Sequence, residues 1–436
     1  MRIGRTVTLL LIILYSFSGR ASNDFIVKLK ASAKVNQLDA HFKAGGMFKV
    51  QEMLSGSLGL FLVRGHMLLD QKSALVLLKD DENLAYVQVD HKVSPRASDP
   101  LLARQWGLSS TYGVNAPQAW QYTTGGQTLD GNPVAVGIVD GGMDLAHEDL
   151  VGNVWTNQSE VAGNHIDDDG NGFVDDVNGW NAYDDNGEVP SHYHGTHVAG
   201  IVGAQGNNGK GVSGVNWNVG LIPVAGSSGQ TSVVIKAYDY LLTLKKRFLA
   251  TGGEQGALVV AINSSFGIDY AKCDQNDYPV WNDMFDTLGE NGILSIAATI
   301  NDDVNVDEDG DVPTACSSPY VVAVTNTTVD GVKYRRAGYG STSIDLGAPG
   351  TSILSTVPGN NYGEATGTSM ATPQVTGAVA LAYSVLSSDQ IITRPSETAL
   401  LVKEALLGTV TPQEDLNGRT VSGGRLNLEK FISRLR

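Results

Sequence analysis

Three short segments carry residue types that together perform one kind of chemistry. Val134-Ala135-Val136-Gly137-Ile138-Val139-Asp140-Gly141-Gly142 is an apolar run that ends in a carboxylate. His194-Gly195-Thr196-His197-Val198-Ala199-Gly200 opens with a histidine and continues in small residues. Gly367-Thr368-Ser369-Met370-Ala371-Thr372-Pro373 places a serine just ahead of 375–383, a small, apolar stretch that reads as a buried helix. A hydroxyl is a poor nucleophile at neutral pH. It needs a base to take its proton, and the base needs a carboxylate to orient it. Asp140, His194 and Ser369 supply one of each, in one of the known chain orders. Pro373 predicts a helix start near Ser369, because proline fits the first turn, where its missing N–H costs nothing. A serine there has its own N–H at the positive end of the helix dipole, where an oxyanion is stabilised. Alone, Ser369 would read as a helix cap; the other two segments decide for chemistry.

Such residues need a frame. From Leu101 onward, apolar runs at 133–140, 219–225, 258–264, 292–298 and 320–325 alternate with helical segments such as 233–249 and 281–289. Near-continuous apolar strands separated by helices predict an α/β fold, a mostly parallel sheet with helices on both faces. Active sites in such sheets lie beyond the carboxyl ends of the strands. Ahead of this unit, 25–30, 59–64 and 85–90 read as strands and 73–81 as a helix, a small α+β domain. Residues 94–100 read as an extended, polar, cleavable linker. Arg2 and Arg5 followed by the short apolar run 7–17 and by Gly19-Arg20-Ala21 form a secretory signal. The expected division is therefore a signal at 1–21, a small domain at 22–97 and the main domain at 98–436.

With 42% hydrophobic and 17% charged residues, the chain has the composition of a globular protein. Its formal net charge of −16 argues against nucleic acid or an anionic membrane as a partner. No later run reaches membrane-spanning length, so no membrane anchor is expected; the product is expected to be secreted (extracellular or periplasmic) and a monomer. The only two cysteines, Cys273 and Cys316, could form a disulfide in an exported chain or remain two free buried thiols.

The three segments, in this order, resemble the motifs of the subtilisin-like serine proteases, the subtilases. The resemblance extends over essentially the whole chain after the signal. It implies protein or peptide substrates, and it makes 22–96 an inhibitory propeptide, an intramolecular inhibitor of a zymogen. Gly292-Ile293-Leu294-Ser295-Ile296-Ala297-Ala298-Thr299-Ile300-Asn301 resembles the strand whose closing asparagine donates to the oxyanion, which gives Asn301 that role. Thr299 and Ile300 would then line the primary pocket. Ile300 departs from the usual glycine there, Gly141 from the usual Thr or Ser after the acid, and Gln374 from a histidine. Ile262-Asn263-Ser264-Ser265-Phe266-Gly267 resembles the edge segment that pairs with substrate backbone, so Ser265, Phe266 and Gly267 are expected to bind substrate by strand addition. Cys316 aligns near the pocket floor, where a bridge would brace the rim. His197 sits one helical turn past the proposed base and reads as structural; the competing zinc reading of His194 and His197 lacks a His-Glu-x-x-His pattern. A second overall reading is an inactive subtilase scaffold that acts as a calcium-dependent binding protein, with Ile300 as its only support.

Calcium is predicted as a structural cofactor. In 167–176 oxygen ligands recur at alternate positions with glycines to turn the chain, as in the first half of an EF-hand loop. Asp167, Asp169, Asn171, Asp175 and Asp176 are the candidate ligands. Asn178 stands where that loop would need a glutamate, so the EF-hand fold itself is not expected. Asp149 and Asn208 are a second pair, at positions similar to the family's tight calcium site. The run 307–311 is a third, balanced between ion site and solvated loop.

Overall fold

The computed structural model describes residues 23–30, 42, 45–66, 69–91, 99–273 and 277–436. The expected secretory signal at 1–21 and most of the expected linker lie outside them. The chain divides into two compact units between Val93 and Ser94.

In the first unit, strands β1 (Asp24–Leu29), β2 (Phe48–Ser55), β3 (Leu60–Gly65) and β4 (Leu84–Val89) form an antiparallel sheet in the order β2-β3-β1-β4. Alternate residues of β1, Phe25, Val27 and Leu29, are buried together with Ala74 and Leu78 of helix α1 (Gln71–Lys79). Strand β2 has no counterpart in the sequence-predicted elements. Its pairing with β3 shifts register twice, between Val50 and Glu52 and between Met53 and Ser55, so its apolar residues lose the strict period of two.

The second unit holds a nine-stranded sheet in the order β16-β17-β13-β12-β10-β8-β5-β7-β6, with β6 (Trp180–Asn181) at one edge. Its central strands are β5 (Val134–Asp140), β7 (Gly220–Ala225), β8 (Leu258–Ser264), β10 (Leu294–Ala298), β12 (Val321–Thr327) and β13 (Leu346–Pro349). All neighbours pair parallel except the edge pair β16 (Thr411–Pro412) and β17 (Gly424–Arg425). The expected α/β architecture is present, with the apolar runs landing as strands.

The alternation of β5 explains why such runs are apolar throughout. Val134, Val136 and Ile138 face one core, which they share with helices α2 (Tyr193–Gly203) and α5 (Thr368–Tyr383). Ala135 and Val139 face the other, under α3 (Thr231–Thr251) and α4 (Pro279–Glu290). A strand covered on both sides has no polar face. Gly137 lets α3 approach closely: a Cβ there would lie 2.2 Å from Leu241 Cδ1. Helices α6 (Pro395–Leu407) and α7 (Leu428–Leu435) complete the first face.

After β5 the chain adds β7 on one side and then crosses to β8 on the other. Such a reversal of strand order is where open α/β sheets place their sites, beyond the carboxyl ends of the strands, here β5, β8 and β10. Asp140 closes β5, Ser265 follows β8, and Asn301 lies three residues past β10.

Candidate active site

Asp140 is almost fully buried at the end of β5. Its Oδ1 accepts the Gly141 N–H at 2.7 Å, and its Oδ2 lies 2.7 Å from His194 Nδ1. Burial alone would push its pKa up; hydrogen bonds from His192 and His194 outweigh burial and hold it below the usual value. Asp140 is therefore an anion at neutral pH, as an orienting carboxylate must be. The small residues after His194 follow from crowding. A Cβ on Gly195 would stand 2.0 Å from the Gly142 carbonyl oxygen and about as close as contact allows to Asp140. Thr196 ties the turn by donating to the His192 carbonyl at 2.7 Å and accepting the Asp144 N–H at 2.9 Å. His197 is fully buried, its Nε2 3.0 and 3.1 Å from the carbonyls of Ile353 and Gly363, and burial lowers its pKa to about 4. A neutral ring whose Nε2–H is committed to carbonyls is structural, and it is not shaped to share a zinc ion with His194.

Ser369 is the second residue of α5, a helix buried along its whole length. Pro373 lies further in than its spacing predicts, beyond the first turn, and so removes the hydrogen bond that the Ser369 carbonyl would have accepted. Ser265 replaces it: its Oγ donates to the Ser369 carbonyl at 3.2 Å, while Ser369 Oγ donates to the Ser265 carbonyl at 3.3 Å. Ser265 is itself held by Asn263 Nδ2 at 2.9 Å, and Asn263 Oδ1 accepts Thr376 Oγ1 from α5. The proline thus coincides with a lock between the helix start and the segment after β8. Phe266 packs on the second core, and Gly267 is exposed, close to the Val312 carbonyl.

Asn301 Oδ1 accepts the Thr368 N–H at 3.0 Å and Thr368 Oγ1 at 3.2 Å. Because a backbone N–H only donates, the oxygen of the amide must face α5, which leaves Nδ2 as the donor end. Thr299 is buried, and its carbonyl accepts Thr368 Oγ1 at 2.5 Å. Ile300 is 5% exposed and packs with Val306, Ala323 and Ile344, so its side chain enters a small core of its own. Its N–H goes to the buried carboxylate of Asp311 at 2.9 Å. Cys273 and Cys316 are joined in a disulfide with Cα atoms 4.8 Å apart, one beyond β9 (Ile268–Asp269) and the other beyond β11 (Asp311–Val312), two short strands that pair with each other.

The acidic loop brings together carboxylates of Glu160, Asp167 and Asp169, whose nearest oxygens lie within 4.8 Å of one another. This all-oxygen donor set fits a hard cation such as calcium. The remaining loop candidates have hydrogen-bond partners of their own, as the three carboxylates also do. Asp175 accepts the N–H groups of Asn164 and His165. Asp176 accepts amide donors from Asn157 and Asn171, and Asn171 Oδ1 closes a turn onto the Phe173 N–H. Asp149 and Asn208 are brought together by a direct bond, Asn208 Nδ2 donating at 2.8 Å, while Asn208 Oδ1 accepts Lys210 N–H. In the third run, Asp307 accepts N–H groups of Thr342 and Ser343, a loop-bracing role.

Two residues had no signal strong enough to find them in the sequence: Glu160 reaches the loop only through its closure, and His192 sits beside Asp140 at 3.3 Å. Asp311 stands out in the sequence only as part of the run 307–311, whereas it accepts the Ile300 N–H across eleven positions.

A parallel sheet with a carboxylate–imidazole pair and a helix-start serine at its carboxyl edge defines a subtilisin-like architecture. Residues 131–424 match the Subtilase family, and the chain belongs to it. It is 31% identical over 371 residues to the extracellular protease of Xanthomonas campestris, which covers 79% of this chain and 60% of that one. The extracellular basic protease of Dichelobacter nodosus is 31% identical over 347 residues, 73% of this chain and 54% of its own. The chain spans a little over half the length of these relatives. A solved protease from Pseudoalteromonas arctica is similar with a TM-score of 0.57 at 25% identity, covering 78% of this chain and 100% of that one. Among the described residues, no helix is long and apolar enough to cross a membrane.

Proposed function

We propose that the chain is a secreted, calcium-stabilised serine endopeptidase made as a zymogen. Ser369 Oγ attacks the peptide carbonyl. His194 takes its proton through Nε2 and returns it to the leaving amine. Asp140 holds Nδ1 and balances the imidazolium that forms. Asn301 Nδ2 and the Ser369 N–H stabilise the oxyanion. To react, the Ser369 hydroxyl exchanges its Ser265 acceptor for His194, a tightening common when substrate arrives. The observation that carries this reading is the 2.7 Å bond of a buried, ionised Asp140 to His194, at the same sheet edge as Ser369 and Asn301. Extracellular relatives and a disulfide support export. Glu160, Asp167 and Asp169 would hold calcium, whose charge would offset the mutual repulsion of their carboxylates. The separate unit ahead of the linker supports the propeptide reading. The support that Ile300 lent to an inactive scaffold weakens, because its side chain is stowed in a core. The test is a fluorophosphonate probe: it labels the wild type at Ser369 and leaves Ser369→Ala unlabelled. An unlabelled wild type refutes the proposal.

A further inference from the structure

Asp140 carries two imidazoles. His194 Nδ1 stands 2.7 Å from Oδ2, and His192 Nδ1 stands 3.3 Å from Oδ1. The second ring is there because Gly141 makes room for it: a Cβ on Gly141 would lie 2.7–2.8 Å from three ring atoms of His192. Glycine at 141 and histidine at 192 thus form one arrangement, and any side chain at 141 would displace the ring. We propose that His192 is a positioning residue that tunes the Asp140–His194 pair, sharing the Asp140 charge when it carries a proton and withdrawing that share when it does not. The inference rests on the triad reading above.

Opposite demands meet at one nitrogen. His192 is the N-cap of α2, and the Gly195 N–H points at its Nδ1 at 3.4 Å, which calls for a bare lone pair. Asp140 Oδ1 calls for Nδ1–H. A ring that loses its proton from Nδ1 caps the helix and turns a lone pair toward the carboxylate; a ring that gains it bonds Asp140 and gives up the cap. Its side chain is 48% exposed, so protons exchange with solvent. The hydrogen bond to Asp140 raises the His192 pKa above the ordinary imidazole value, with burial opposing. Asp140 is the charged group that faces this ring, and His194 is the titratable group on the carboxylate's other oxygen. The nearby Asp144 carboxylate is engaged by the N–H groups of Ala146 and Gly359, and the buried His197 is neutral.

The consequence has a sign. As pH falls, a protonated His192 draws on the charge of Asp140, so His194 becomes harder to protonate and the base stays active to lower pH. Removing His192 should move the acid limb of kcat/KM up by about half to one pH unit. On the acid side that is a loss of about three- to tenfold, while the alkaline plateau should stay within about twofold of wild type. His192→Asn and, by displacing the ring, Gly141→Ala are both expected to behave this way. Profiles that differ only by a constant factor, with the acid limb unmoved, would overturn the proposal, since that is what a purely structural loss produces. Should the variants fold poorly, the full chain carrying Ser369→Ala and ¹³C-labelled histidine gives a second reading by NMR. His192 is expected to titrate above the ordinary imidazole value and to fall back when Asp140→Asn is added; an unshifted His192 in the first protein refutes the idea. The fluorophosphonate probe keeps the two levels apart. A wild type that takes no label sinks the triad reading, whereas the His192 titration is decided independently of activity.

Discussion

Replacing Asn301 by alanine removes two interactions that can be separated. The amide nitrogen is the proposed oxyanion donor. The amide oxygen accepts the Thr368 N–H at 3.0 Å and the Thr368 hydroxyl at 3.2 Å, and so anchors the start of α5 one residue ahead of Ser369. Loss of the donor should lower kcat by roughly 10²–10³, about 2.7–4 kcal/mol of transition-state stabilisation, the range that loss of such a donor produces in a subtilisin and here carried over by family membership. KM should change little, because the donor acts on charge that develops only in the transition state. Loss of the acceptor leaves a helix-start N–H without its partner and should lower stability by roughly 0.5–2 kcal/mol. Asn301→Asp separates the two: the carboxylate still accepts from Thr368 but offers no N–H, and it sets a negative charge beside the developing oxyanion. It should keep most of the stability and lose at least as much rate as the alanine variant. The assay is kcat and KM on a chromogenic peptide together with thermal unfolding of both variants. An aspartate variant within about threefold of wild-type kcat would refute the assignment of Asn301, since an interaction worth several kcal/mol cannot vanish so cheaply.

Chelation should lower stability by on the order of 2–3 kcal/mol when calcium stands near a hundred times its Kd, read as a lower melting temperature and faster autolysis. Glu160→Gln should remove most of that dependence and Asp149→Asn should not; a melting temperature indifferent to EDTA and calcium contradicts the site. Burial raises the pKa of Asp311 to about 7. Its neutral form therefore contributes stability that is complete below about pH 4 and is lost as pH rises toward about 7. Asp311→Asn, which can still accept the Ile300 N–H, should gain on the wild type across that window in paired melting curves, and a difference that is flat with pH would exclude this cause. Finally, the Asp99 carboxylate accepts the N–H groups of Asn207 and Asn208 and the Ser213 hydroxyl, which fastens that residue to the second unit. Self-cleavage is therefore expected ahead of Asp99, within 93–98, and the isolated 22–96 segment should inhibit the mature enzyme; amino-terminal sequencing that finds a secreted, active form starting near Ser22 would rule this out.

Much of this protein is local in its physics, and that part was legible in the chain. Apolar runs became the central strands because a parallel strand buried on both faces has no room for polar residues, as Ala135 and Val139 on one side and Val134, Val136 and Ile138 on the other make plain. Small residues after His194 and around Ser369 pointed to close-packed helix starts, and chain order tied Asp140, His194 and Ser369 to one chemistry. What the chain could not disclose depends on groups brought together from distant places. Strand β2 was hidden because bulges erase its alternation. Ile300, read as a pocket residue, also packs in a small core that the chain did not announce, because the neighbours that receive it come from three other segments. The loop at 167–176 offers five candidate ligands; the carboxylates of Asp167 and Asp169 converge, and Glu160 joins them from outside the motif. His192 shows the difference most directly. Two residues before a motif histidine, it is unremarkable in one dimension; folding sets its ring in the gap left by a glycine fifty-one positions earlier, against the carboxylate that His194 also uses. Residue types and spacing determine which chemistry is possible, because they act through the chain's own geometry. Which protons and charges share a site is decided by tertiary packing, because electrostatic coupling depends on distance through space and not along the chain.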